Sequence, residues 1–159
     1  MTEDISTLIN IVTALPNPKK TLVFGSDHAG FVLKEYLKTQ SQAWSYNVID
    51  CGTHSEDSVD YPDYVPPVVK EVLAGARGVL ICGSGIGMSI AANRYKGIRA
   101  ALCADPLWAK LAREHNDANI LVLGERLLGQ QEAIECLRTF LNIAFEGGRH
   151  LRRVEKIDS

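Results

Sequence analysis

Long hydrophobic runs are missing from this 159-residue chain, and nothing approaches the ~18 continuous apolar residues that a membrane-spanning helix needs. A membrane is not an expected partner. Basic residues are not in excess either: 17 Lys and Arg stand against 19 Asp and Glu, a net charge of -2, so no global field favours nucleic acid or an anionic surface. Any anion must be caught by local chemistry. Cysteine is sparse and dispersed, at Cys51, Cys82, Cys103 and Cys136, with no CxxC pair and no short Cys/His cluster of zinc-finger spacing. A reducing cytoplasm suits that usage, and no metal ligand set stands out. Glu3 and Asp4 occupy the place where a secretory signal would carry basic residues, which also points to a cytoplasmic protein.

What is present is an alternation of two periods. Ile5, Leu8, Ile9, Val12 and Leu15 recur at helical spacing before Pro16 and Pro18, so residues 4 to 15 read as a short amphipathic helix. Residues 1–20 are accordingly expected to form an N-terminal extension, and 21–159 a single domain with a C-terminal tail. Apolar runs then follow at 21–26, 46–50, 78–82, 99–103 and 120–124. Short unbroken runs suit strands buried on both faces. Between them lie helical faces: Phe31, Val32, Leu33, Tyr36 and Leu37; Tyr64, Val65, Val68, Val69, Val72 and Leu73; and Leu107, Trp108, Leu111 and Ala112 behind an Asp105-Pro106 cap. The expected fold is α/β, a three-layer α/β/α sandwich around a five-stranded parallel, Rossmann-like sheet. Pro66 and Pro67 would break a helix past its first turn, so the second helix is expected to begin late.

Ligands of an open parallel sheet gather at the carboxyl ends of its strands. The segment ICGSGIGMSIAAN, residues 81 to 93, lies at such an end. Gly83, Gly85 and Gly87 permit a tight turn with free amides, and a helix starting near Gly87 points its positive end at the same place. This is an anion-holding loop. It is not a P-loop, because no lysine follows Gly87, and not a dinucleotide fingerprint, because Met88 stands where the third glycine belongs. A nucleophile elbow around Ser84 would need glycine at Cys82 and Ile86. A cysteine phosphatase would need arginine at Met88.

The loop's first residue is a thiol. Amides and a helix N-terminus favour a thiolate, which would make Cys82 a reactive group able to act as a base. By position alone, a small apolar residue closing a buried strand is an equally good reading. Asp27 and His28 after the first strand, and His115 and Asn116 near a helix end, admit equally plain roles as caps. Arg149 and Arg153 lie four apart behind Gly147-Gly148, so they share a helical face, and Arg126 follows the last strand. A solvated basic tail explains the first two as simply.

Six ordered motifs decide among these readings. GSDHAG at 25–30, DYPDY at 60–64, ICGSGIGMSIAAN at 81–93, GIRAALC at 97–103, REHNDANILVLGER at 113–126 and GGRHLRRVEKI at 147–157 together resemble the type B ribose-5-phosphate isomerase family, whose wider group includes galactose-6-phosphate and allose-6-phosphate isomerases. The resemblance covers residues 21 to 157. It implies a cofactor-free aldose-ketose isomerase that interconverts D-ribose 5-phosphate and D-ribulose 5-phosphate through an enediolate. On that reading Cys82 is the carbon base, Ser84 relays protons between oxygens, and the amides of Gly83, Gly85, Ile86 and Gly87 hold the enediolate charge. His115 opens the furanose ring while Asn116 holds the sugar, and Asp27 binds its hydroxyls. His28, Arg126, Arg149 and Arg153 serve the phosphate, and Tyr61 is a pocket wall. His150 and Arg152 have no equally firm role, and His54 and Arg113 read as surface or structural residues.

The family also implies a homodimer whose sites draw Cys82-type and His115-type residues from different subunits, with further pairing into a tetramer left open. A hexose 6-phosphate is the alternative substrate, since one carbon more or less is worth only about 1–3 kcal/mol in a pocket. A phosphosugar sensor without catalysis is the alternative from another class, though binding alone gives no reason for a thiol and a ring-opening histidine together.

Overall fold

A computed structural model describes residues 20–159, so the helix expected over 4–15 lies outside the described residues. Along the chain run β1 (Thr21–Ser26), α1 (Phe31–Ala43), β2 (Asn47–Asp50), a 3-10 turn (Tyr61–Tyr64), α2 (Val65–Leu73) and β3 (Arg77–Cys82). They are followed by α3 (Ile86–Ala92), β4 (Ala100–Leu102), α4 (Pro106–Asn116), β5 (Ile120–Gly124), α5 (Gln130–Asn142) and α6 (Arg149–Asp158). Every strand pairing is parallel, in the order β2-β1-β3-β5-β4. Each crossover helix returns the chain to the same edge of the sheet.

The period of two divides each strand between two cores. Leu22, Phe24, Val79, Ile81, Leu121 and Leu123 pack with Leu33 and Leu37 of α1, Ala109 of α4, and Leu137 and Phe140 of α5. Val23, Leu80, Cys82, Ile120 and Val122 turn the other way, onto Val65, Val68 and Val69 of α2 and Met88 of α3. The three-layer α/β/α architecture is therefore present. Each such buried aliphatic or aromatic side chain contributes about 1.5–3 kcal/mol, which is why both faces of the strands read as apolar.

The helical details depart from the sequence pattern in instructive ways. Pro66 and Pro67 fall in the first turn of α2, where a missing N–H costs nothing, and Tyr64 belongs to the preceding 3-10 turn. Leu73 is exposed at the end of that helix. Asp105 caps α4 as expected, its Oδ1 accepting from the Trp108 N–H at 3.1 Å. Yet Leu107, Trp108 and Leu111 face away from the sheet, which α4 meets through Ala109 and Ala112 at i, i+3 spacing. On α1 Val32 is exposed, whereas Lys34 is fully buried, its Nζ 2.7 Å from Asp50 Oδ1 at the end of β2. Helix α5 had no counterpart in the sequence reading, and the basic tail is itself the helix α6.

Candidate active site

From β1 the chain crosses to β2 on one side, while β3 lies on the other, so the loops leaving β1 and β3 diverge and open a crevice. Asp27 follows β1 there, and its N–H donates to the Ile81 carbonyl at 3.3 Å, one residue before Cys82. Cys82 in turn stands opposite Gly124, the last residue of β5. Asp27 is nearly buried, and its Oδ1 accepts from the Gly30 N–H at 3.1 Å. His28 Nδ1 accepts from the Val59 N–H at 3.1 Å. A nitrogen that accepts carries no proton, so this contact puts the ring N–H of a neutral His28 on Nε2.

The glycine loop is built around the sulfur. Gly85 takes a left-handed φ of 79° at the start of α3, and its N–H donates to Cys82 Sγ at 3.2 Å. Ser84 Oγ accepts from the Ile86 N–H at 3.2 Å. The turn after β5 closes over the same loop, with the Glu125 N–H on the Cys82 carbonyl and the Arg126 N–H on that of Gly83, both at 2.9 Å. This lays the Arg126 guanidinium 3.4 Å from where a Gly83 Cβ would be. Tyr61 covers the start of α3 so closely that a Cβ on Gly87 would lie 2.5 Å from the ring. Asp27, His28, Tyr61, Cys82, the loop 83–87 and Arg126 are thus brought to one edge of the sheet.

His115 and Asn116 are not. They end α4, which runs back to the start of β5, and Cys82 is level with the end of that strand. Four residue steps at ~3.3 Å put the two edges about 13 Å apart. Around His115 a second group forms. The His150 ring stacks on it with centroids 4.4 Å apart and planes 15° from parallel, and Glu146 Oε2 lies 3.4 Å from His150 Nε2. Arg149 opens α6, and Arg153 follows one turn later, both exposed. Helix α6 is tied down by Arg99, whose NH1 meets Asp158 Oδ2 at 2.7 Å and whose Nε donates to the Asp117 carbonyl at 3.0 Å. Arg113 proves structural: it is buried and donates to the Ile143 and Ala118 carbonyls.

His115, Glu146 and His150 each offer a ligand atom within 4.8 Å of the others. Nearly parallel stacked imidazoles aim their lone pairs along separate planes, so this grouping is a stack and not a coordination sphere. Three contributors escaped the sequence reading. Val59 acts through its backbone and leaves no side-chain signal. Gly124 lets the Ser84 backbone pass against β5, and a glycine closing a buried strand is a legible sign of such close approach. His150 looked like one more residue of a polar tail.

A doubly wound parallel sheet with a thiol, a glycine loop and an arginine gathered at its switch point has the architecture of an α/β enzyme for a small anionic substrate. Residues 22–157 match the family described as ribose/galactose isomerase, and the chain belongs to it. Ribose-5-phosphate isomerase B of Escherichia coli (strain K12) is 44% identical over 140 residues, 87% of this chain and 94% of that protein. A crystal structure of a ribose 5-phosphate isomerase from Thermotoga maritima is 54% identical with a TM-score of 0.85, covering 87% of this chain and 97% of that one. The Mycoplasma genitalium ribose-5-phosphate isomerase B, solved with bound ribulose-5-phosphate, superposes with a TM-score of 0.83 at 39% identity, over 87% and 93% of the two chains. No helix among the described residues is long and apolar enough to cross a membrane.

Proposed function

We propose that this protein interconverts D-ribose 5-phosphate and D-ribulose 5-phosphate, with Cys82 as the carbon base. The observation that carries the reading is the Gly85 N–H aimed at Cys82 Sγ, 3.2 Å away, in the crevice beside β1. A donor held on the sulfur gives a negative charge there a partner without any metal. His115 takes the proton of the C1 hydroxyl and passes a proton to the ring oxygen as the bond from C1 to that oxygen breaks, and the furanose opens to the aldehyde. The Cys82 thiolate takes the C2 proton, and the electron pair moves to O1, which the loop N–H groups hold. The thiol then returns its proton to C1 as Ser84 relays the O2 proton to O1, leaving the ketone at C2.

Asp27 and Asn116 hold sugar hydroxyls, Tyr61 walls the pocket, and His28, Arg126, Arg149 and Arg153 hold the phosphate. Because one chain keeps His115 about 13 Å or more from the Cys82 edge, a complete site takes Cys82 from one copy and His115 from another. A homodimer follows. Exposed Ile86, Ile90, Trp108 and Leu111 supply apolar surface for such a contact. A reducing compartment such as the cytoplasm keeps Cys82 a free thiol, and residues 21–159 act as the isomerase domain behind a 20-residue extension.

The test is solvent deuterium exchange with Cys82→Ala. Exchange at C2 should vanish while the phosphosugar still binds, whereas retained exchange overturns the assignment. Absence of any exchange in the wild type would leave a binding protein. Turnover of ribose, allose and galactose phosphates by one preparation decides the substrate.

A further inference from the structure

His150 has no assigned part in the reaction, yet it is 93% buried and lies face to face with His115, the histidine to which ring opening is given above. His150 and Val154 are the two buried residues of α6, and burying a histidine there displaces water and costs rotamer freedom. Two of its neighbours are titratable side chains. Its face meets the His115 ring at 4.4 Å, and its Nε2 lies 3.4 Å from Glu146 Oε2. Glu146 is itself placed by the chain, since its N–H donates to the Glu114 carbonyl at 3.1 Å, next to His115. The His150 N–H donates to the Gly147 carbonyl at 3.0 Å. Both ends of the brace are thus fixed to α4 and to the turn that opens α6.

An imidazole at a helix end has more than one staggered χ1 well and a broad χ2 open to it unless neighbouring groups restrict them. Proton transfer between two oxygens of one sugar demands the reverse, a ring held within about 0.5 Å and 10–20° of the productive geometry. We propose that His150, braced by Glu146, is a positioning residue that fixes the plane of the His115 imidazole for opening the sugar ring. His150 touches no reacting atom and acts only through His115. It lies on α6 between Arg149 and Arg153, so the helix that presents the cations also carries the plate on which His115 rests.

The inference rests on His115 opening the ring, and the test separates the two. Ribulose 5-phosphate cannot close to a furanose, because its C5 oxygen carries the phosphate, so deuterium wash-in at its C1 needs Cys82 but no ring opening. His150→Ala should lower kcat on ribose 5-phosphate ten-fold or more while wash-in into ribulose 5-phosphate stays within about two-fold of wild type. His150→Phe, which keeps a flat face in the same buried space, should recover most of the lost kcat. Equal losses in both assays, or no loss in either, overturn the proposal, and so does failure of the Phe variant to rescue. If His115→Asn turns over ribose 5-phosphate normally, the reading of His115 itself has failed. Should His150→Ala not fold, Glu146→Gln with His150→Phe carries the same comparison.

Discussion

The backbone N–H of Gly85 donates to the sulfur of Cys82 across a turn whose φ at Gly85 is 79°. One residue therefore supplies both the bend and the donor. A Cβ at this position would lie 2.6 Å from Leu102 Cδ1 and 3.1 Å from the Leu123 carbonyl, so Gly85→Ala meets a steric and a dihedral penalty together. The variant should lose about 1–3 kcal/mol of stability, read by urea denaturation. Its turnover should fall about 100-fold as the donor shifts away from the sulfur. Full activity in a correctly folded Gly85→Ala protein would show that the loop does not need this geometry.

Arg149 and Arg153 are exposed cations one helical turn apart. Each is expected to make a charge-assisted hydrogen bond to phosphate, worth about 1.5–3 kcal/mol. Alanine at either position should lower kcat/KM about 10- to 100-fold, mainly through KM. Activity on unphosphorylated ribose should not change. Steady-state kinetics on the two sugars makes the comparison, and equal losses on both would remove the phosphate from the explanation.

Asp50 presents a stability question and not a catalytic one. Burial alone pushes its carboxyl up, but hydrogen bonds from Lys34, Lys38 and the Gly52 N–H outweigh it and hold the group below its ordinary range. A carboxyl lowered in the folded state stabilises above its unfolded value of about 4, and that contribution is lost as pH falls through the folded value. Asp50→Asn also leaves Lys34, fully buried, with only the more exposed Glu35 carboxylate, 3.2 Å away, as its anion. The variant should be about 3 kcal/mol less stable than wild type at pH 7. The gap should narrow below about pH 4, as the wild-type carboxyl becomes neutral. Chemical denaturation at pH 7 and at pH 3 checks both halves, and a constant gap would mean that packing, not charge, is what the substitution removes.

Much of the sheet is legible in the residues because strands buried on both faces read as unbroken apolar runs: 21–26 and 120–124 coincide with β1 and β5. Helix faces are less legible. Lys34 is buried because Asp50 reaches it from β2, and Trp108 stays exposed because two alanines bring α4 close to the sheet; neither fact is local to its helix. The loop at Cys82 could be read because glycine spacing restricts which chemistries fit. The stack of His150 on His115 could not, since it arises only when Arg99 and Asp158 dock α6 beside the end of α4.

That same end of α4 gives the sharpest test of how the site is assembled. Cys82 is level with the end of β5, and His115 precedes its start, so the two belong to one site only if different copies supply them. Cys82→Ala and His115→Asn proteins should each be inactive on ribose 5-phosphate. Mixed in equal amounts and allowed to exchange subunits, half the dimers become hybrids, and each hybrid holds one site with both residues intact and one with neither. Activity should return to about a quarter of wild type. If each chain instead builds its own site, every site in the hybrid lacks one residue and the mixture stays inactive. Recovery with the sedimentation pattern of a dimer therefore establishes the shared site. An inactive mixture whose subunits demonstrably exchange would require Cys82 and His115 to meet within one chain, against the direction in which α4 and β5 run.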